Sequence, residues 1–434
     1  MAEIIKAVKG TNDVLPENSR IWQYIENTAI STAGLYGYRE TRIPVFEHTE
    51  VFSRGVGNTT DVVQKEMYTF DDKGGRSITL RPEFTAGIVR SAIENGLLNG
   101  ALPLKVCYVG GCYRYEKPQA GRLREFHQFG VECLGANTPA ADAEAICLAG
   151  SVLERIGIKD VSLEINSIGC PTCRKDYRKA LINYFENNGQ NLCDTCKGRL
   201  YTNPMRILDC KSPVCKGIAE NAPVVKDYLC EDCSAHFNGV KKNLDAAGIK
   251  YTVNPHIVRG LDYYTKTVFE FVSGSIGAQS TVCGGGRYDG LVAELGGPAV
   301  QGVGFAMGLE RLLMVAQACG ALFPEEKTCD VYFAAISENA AVKSFALCNM
   351  LRAEGFEAQC DIVGRSLKPQ MRYADKTGAK FTCVLGDSEL ESGTANLKNM
   401  KTGKQTEIKL SNIVAEFYKA VKEAAEESLA DSIF

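Results

Sequence analysis

Arg114, Arg122 and Arg124 crowd one short stretch, in Tyr113-Arg114-Tyr115-Glu116 and Gly121-Arg122-Leu123-Arg124-Glu125-Phe126-His127-Gln128-Phe129. A guanidinium is a permanently charged planar fork that matches phosphate oxygens, and the face of a phenylalanine can stack on a base. Together they describe a nucleotide site; the competing reading is a charged hairpin whose arginines are merely solvated. A second group is Cys170-x-x-Cys173, Cys193-x-x-Cys196, Cys210 with Cys215, and Cys230-x-x-Cys233-x-x-His236. Repeated pairs at this spacing suit zinc, four thiolates closing a tetrahedral structural site. The alternative is reduced cysteines acting as small hydrophobes.

Three further segments set glycines beside arginine. Gly302-Val303-Gly304-Phe305-Ala306-Met307-Gly308-Leu309-Glu310-Arg311 reads as a glycine-rich strand running into a helix, the glycines letting backbone approach a ligand. Val258-Arg259-Gly260-Leu261-Asp262-Tyr263-Tyr264-Thr265 and Gly284-Gly285-Gly286-Arg287-Tyr288-Asp289-Gly290-Leu291 mix glycine, arginine and tyrosine. The Arg114 and Phe126 segments resemble motif 2 of the class II aminoacyl-tRNA synthetases, and the Gly302 segment resembles their motif 3. The Arg259 and Arg287 segments are similar to the signatures of the histidine–tRNA ligases, as is Leu80-Arg81-Pro82-Glu83-Phe84-Thr85-Ala86-Gly87. The resemblance runs from residue 8 to about 420. Phe84 stands where glycine is common, and Lys117 replaces a frequent arginine in the motif 2 loop.

That resemblance implies ATP-dependent activation of L-histidine, followed by transfer to histidine tRNA. It places Arg114 on the α-phosphate and Arg259 on the opposite side, the two catalytic groups. Glu116, Arg122, Phe126 and Arg311 complete the ATP site, Arg122 meeting the γ-phosphate and Arg311 covering the adenine face that Phe126 leaves free. Mg²⁺ enters with ATP, bridging β- and γ-oxygens with help from Glu125. Glu83 and Thr85 suit the α-ammonium, Gln128 the amine or carboxylate, and Glu132 with Tyr264 the imidazole nitrogens. Leu261, Tyr263, Tyr288 and the glycines of 284 to 286 shape the wall, although Tyr288 suits the core equally well. A pocket bonding both ring nitrogens rejects other side chains without an editing domain. Lys117 and Gln119 would meet the tRNA, a lysine being a point donor without the arginine fork. Pro44 matches the motif 1 proline, which implies a homodimer.

These groups need elements to hold them. Ile21 to Leu35 has helical spacing, and Cys107 to Val131 reads as two strands joined by a polar loop. Residues 170 to 233 hold eight of the eighteen cysteines and read as an inserted small domain. β-like alternation returns over Thr252 to Ser273 and Gln279 to Phe305. From Cys329 onward come a strand (Val331 to Ala335), a helix (Ala340 to Glu354), a strand-like segment, a helix (Pro369 to Gly378) and a strand (Phe381 to Leu385), implying parallel pairing. The fold class expected is α+β, a class II core on an antiparallel sheet with flanking helices. Its expected parts are core 1–169, cysteine-rich insert 170–240, core 241–325, and a C-terminal α/β anticodon-binding domain at 328–425. Gly364-Arg365-Ser366-Leu367-Lys368 is the candidate anticodon reader by resemblance only.

At 434 residues several domains are expected. A net charge of -3 gives no global positive field, so any RNA contact must use a local basic surface, for which Lys175, Arg178 and Lys179 are candidates. Neither a signal peptide nor a membrane-length apolar run is visible, so a cytoplasmic chain with reduced cysteines and no membrane partner is expected. Two rivals stay open: a catalytically inactive paralogue regulating histidine biosynthesis, and a zinc-dependent RNA-binding scaffold that would need no ATP pocket.

Overall fold

The computed structural model describes residues 3–431 apart from 59, 211, 276–280 and 326–327, in two compact units, Met1–Pro324 and Glu325–Phe434. The strands of the first are β1 (Arg39–Glu40), β2 (Phe46–His48), β3 (Tyr68–Asp71), β4 (Ser77–Leu80), β5 (Leu104–Tyr113), β6 (Glu125–Leu134), β7 (Ser162–Ser167), β8 (Thr252–Val253), β9 (Thr265–Val272), β10 (Thr281–Arg287) and β11 (Gly302–Gly308). Eight of them form one sheet in the order β1-β5-β6-β11-β10-β9-β7-β8, and β2-β4-β3 form a small second sheet. The large sheet is antiparallel except at its two rims, where β1 pairs with β5 and β8 with β7 in parallel.

The two-residue period of a strand decides what each face does. In β6, Phe129, Val131 and Cys133 enter the main core, while Phe126 and Gln128 line a cavity on the other face. Helices Pro16–Leu35 and Pro139–Ile156 cover the core face with Ile25, Ala29, Ala33, Ile146, Ala149 and Leu153. Each such fully buried isoleucine or leucine contributes about 1.5–3 kcal/mol. The first helix starts at Pro16 rather than Ile21, because its polar first turn carries no apolar period. Pro139 opens the second at a position needing no N–H, and Gly157 closes it with φ +92°, a left-handed value that only glycine adopts cheaply. The alternation expected from Gln279 begins outside the described residues.

The insert has a core of its own, with Tyr177, Leu181, Phe185, Ile207 and Val225 at its centre. Helix Glu231–Ala246 carries the chain back, and its Val240 and Leu244 belong to the main core. In the second unit β12 (Val331–Ala335), β13 (Ala358–Cys360), β14 (Phe381–Leu385), β15 (Thr394–Asn399) and β16 (Gln405–Lys409) form a sheet ordered β13-β12-β14-β15-β16. The expected parallel pairing holds for β13, β12 and β14 alone; β15 and β16 are antiparallel. No helix among the described residues is long and apolar enough to cross a membrane.

Candidate active site

A cavity of about 330 Å³ opens on the face of β5, β6, β11 and β10. Glu83, Thr85, Arg114, Glu116, Arg122, Phe126, Gln128, Arg259, Leu261, Tyr263, Tyr264 and Arg311, scattered over 229 positions of chain, all line it. Arg114 leaves the end of β5, whereas Arg259 lies over Gly284 of β10. Three strand spacings separate those strands, roughly 14 Å, so the two guanidiniums approach the space between from opposite flanks.

Each arginine is held. Arg114 donates from Nε to the Pro82 carbonyl at 2.9 Å and lies 5.2 Å over the Phe126 ring. Glu116 sits between Arg114, at 3.9 Å, and Arg122, at 3.1 Å. Arg311 donates to the carbonyls of Gly121 (2.9 Å) and Thr281 (2.8 Å), tying the motif 2 loop to the edge of β10. Arg259 pairs with Glu270, and its buried Nε finds no acceptor among the described residues. A buried donor without a partner costs about 1–3 kcal/mol and calls for an explanation, which an anionic ligand supplies.

The glycines of the signatures make room for the protein's own side chains rather than for a ligand. A Cβ at Gly284 would collide with the Arg259 guanidinium, one at Gly304 with the Glu132 carboxylate, and one at Gly302 with the Tyr288 ring. Phe84, the departure from the family pattern, is packed between Arg81, 4.1 Å over its ring, and Tyr108, stacked at 4.3 Å. Glu83 accepts from the N–H groups of Thr85 (2.8 Å) and Ala86 (2.9 Å), capping the helix Thr85–Glu94 that brings both residues to the cavity.

Two expected histidine contacts, Glu132 and Tyr288, lie behind the cavity wall rather than on it. Glu132 accepts from Thr85 (2.7 Å), Tyr108 (3.1 Å) and Tyr288, and both Thr85 and Tyr108 line the cavity. Burial raises its carboxyl to about 8, with the Tyr288 and Thr85 hydroxyls opposing that rise and the Glu83 charge adding to it. A folded value above the unfolded one means stability that is fully present in acid and lost as pH rises through about 8. Thermal melts from pH 6 to 9 should therefore show the native chain losing about 1 kcal/mol per pH unit relative to Glu132→Gln, which stays neutral. Parallel profiles would show that Glu132 is ionised throughout.

Glu125, expected beside Mg²⁺, is on the wrong face: strand alternation turns it from the cavity, and it accepts from Tyr113 at 3.1 Å. Among the described residues, the carboxylates that do line the cavity are Asp61, Glu66, Glu83, Glu116 and Glu310. Glu310 also accepts the His127 N–H at 2.9 Å, locking the motif 3 helix to β6. Lys117 and Gln119 are both exposed in the loop beyond the cavity, where Gln119 and Arg122 exchange backbone hydrogen bonds. Arg287 does not reach the cavity; it is wholly buried against Asp142. His236 bonds the same Asp142, at 2.7 Å, rather than joining the cysteines. Sequence reasoning missed Tyr108, Arg206 and Glu310. Tyr108 was discoverable, because it shares the strand face of Arg114; Arg206 was not, because nothing local aims the insert at the cavity.

The eight cysteines fall into two quartets, Cys170, Cys173, Cys230 and Cys233, and Cys193, Cys196, Cys210 and Cys215. The chain is similar to known proteins over most of its length. The family described as "Histidyl-tRNA synthetase" matches residues 10–171 and 217–312, and that described as "Anticodon binding domain" matches 330–420. A histidine–tRNA ligase of Acetivibrio thermocellus is 56% identical over 95% of this chain and 99% of its own. One from Clostridioides difficile is 50% identical over 95% and 99%. The solved apo histidyl-tRNA synthetase of S. aureus is 41% identical, with a TM-score of 0.81 over 95% of this chain and 100% of that one.

Proposed function

The chain belongs to the histidyl-tRNA synthetase family, and from that premise we propose that it joins L-histidine to histidine tRNA with ATP, through a histidyl-adenylate. The observation that carries the reading is the convergence of Arg114 and Arg259 on one cavity from opposite flanks, with the buried Arg259 Nε lacking an acceptor among the described residues. In the first step the histidine carboxylate attacks the α-phosphorus and pyrophosphate leaves. Two anions must meet, and the charge growing on the transferring phosphoryl group needs donors fixed beforehand. Arg114 serves the phosphate side; Arg259 bridges carboxylate and phosphate from the other. Arg122 takes the γ-phosphate, and Phe126 with Arg311 sandwich the adenine. The nucleotide arrives as its Mg²⁺ complex, and hard carboxylate oxygens of Glu116 and Glu310 suit that ion.

Histidine lies with its ammonium toward Glu83 and Thr85 and its carboxylate near Gln128 and Arg259. Tyr264 and the Glu132 cluster receive the imidazole, Leu261 and Tyr263 forming the wall; Tyr288 acts through Glu132. Lys117 and Gln119 meet the tRNA acceptor end, and the chain works as a homodimer in the cytoplasm. The regulatory reading is disfavoured by the intact set Glu83, Arg114, Arg259, Tyr264 and Arg311 around one cavity. The scaffold reading fails to account for that cavity at all. Amino-acid-dependent ATP–pyrophosphate exchange by the purified chain is the test. Exchange is expected with histidine alone among the twenty amino acids, and labelled histidine should then appear on histidine tRNA; folded protein without exchange would overturn the proposal.

A further inference from the structure

We infer that the insert holds two separate structural zinc ions, one clasping its neck and one inside it, each bound by four thiolates. Chain order does not announce this pairing. The first pair, Cys170 and Cys173, stands where the chain leaves β7; it meets the last, Cys230 and Cys233, where the chain returns into helix Glu231–Ala246. The two middle pairs, Cys193 with Cys196 and Cys210 with Cys215, meet each other.

Distance decides what such quartets can hold. Within each, the sulfurs all lie within 4.8 Å of one another, with Cys170 3.6 Å from Cys173, Cys170 4.0 Å from Cys230, and Cys193 3.8 Å from Cys210. Zinc–sulfur bonds of about 2.3 Å in a tetrahedron place sulfurs about 3.8 Å apart. A disulfide needs about 2.0 Å, and a cluster with several irons between its thiolates needs a wider spread. One small tetrahedral ion per quartet fits.

The backbone is arranged for thiolates as well. Cys170 and Cys230 stand at the N-termini of helices Pro171–Asn187 and Glu231–Ala246, whose free N–H groups favour the negative charge of a zinc tetrathiolate. The Cys230 N–H donates to the Cys173 sulfur at 3.1 Å and the Cys193 N–H to the Cys215 sulfur at 3.2 Å, each across a pair. An insert of this size buries only a small apolar core, the regime in which a metal supplies the missing stability.

The neck site also has an address. Arg174, the residue after Cys173, donates to the Tyr264 carbonyl at 3.2 Å, and Arg206, between the ligands of the inner site, donates to the Arg259 carbonyl at 3.2 Å. The two ions thus fix the insert that braces the segment carrying Arg259 and Tyr264. Their presence is independent of the aminoacylation reading and is tested without it.

Purified native chain from zinc-supplemented medium, after gel filtration in metal-free buffer, should release two zinc ions per chain when its thiols are titrated with an organomercurial and the metal is read with a chromogenic chelator. One ion, none, or a stoichiometric amount of iron overturns the proposal. Cys193→Ser with Cys196→Ser should leave one ion, and Cys170→Ser with Cys173→Ser should leave the other. Where a variant fails to fold, cobalt loading of the chelator-stripped native chain decides: two equivalents with the absorption of tetrahedral thiolate cobalt are expected, and a single equivalent refutes the pairing.

Discussion

Replacing Arg259 with alanine is expected to lower kcat for histidine-dependent ATP–pyrophosphate exchange by about 10²–10³-fold, the usual cost of removing one preorganised donor from a developing anion. The effect should fall on kcat more than on KM for ATP, because in the function proposed Arg114, Arg122, Phe126 and Arg311 hold the nucleotide without it. The arginine is half-buried and paired with Glu270, so truncation also strands a carboxylate that otherwise accepts from the Thr281 hydroxyl at 2.8 Å. Stability must therefore be followed alongside rate. Arg259→Ala combined with Glu270→Gln relieves the stranded charge; it should recover melting temperature while leaving exchange low. Recovery of exchange in that double variant would mean that Arg259 acts only by holding the fold. Arg259→Lys should restore little, since a point charge cannot meet carboxylate and phosphate together.

The second large effect lies away from the chemistry. Asp142→Ala should cost the first unit about 3–5 kcal/mol, the range for breaking a buried ion pair, and lower its melting transition by roughly 5–10 °C. Asp142 and Arg287 are both completely buried. Asp142 also accepts from Thr267 at 2.6 Å and meets His236 at 2.7 Å, while Arg287 donates to the Ala136 carbonyl at 2.9 Å and to Asp289 at 3.1 Å. One carboxylate thus joins helices Pro139–Ile156 and Glu231–Ala246 to β9 and β10. Burial pushes the Asp142 carboxyl up, but His236 and Arg287 outweigh it and hold it below the ordinary range. Its contribution is therefore full at neutral pH and lost as pH falls through that lowered value. Folded Asp142→Ala should keep KM for histidine and ATP within a few-fold, in contrast to Arg259→Ala. An unchanged melt would remove the network from the account of the fold.

Local chemistry was legible wherever it repeats at short range. The arginine hairpin, the β12 and β14 strands and the cysteine pairs are all patterns a few residues long, and strand or helix period carries them. Alternation could even have corrected the magnesium assignment, since Phe126 and Gln128 on one face require Glu125 on the other. Weaker signals were lost: β1 is two residues long, and polar β15 and β16 carry little apolar period to read.

What only tertiary structure decided is which distant groups meet. β6 joins β11 across 167 residues of chain, so Glu132 comes to stand against Gly304. Closure of that sheet puts Glu132 and Tyr288 behind the wall and makes Arg287, part of a signature, a buried strut. The cysteines show the division most plainly. Spacing says that each pair can bind metal, because the two thiols of a pair at a helix start lie close together. It cannot say that the first pair meets the last, because that depends on where β7 and the returning helix are held by a core built from the rest of the unit.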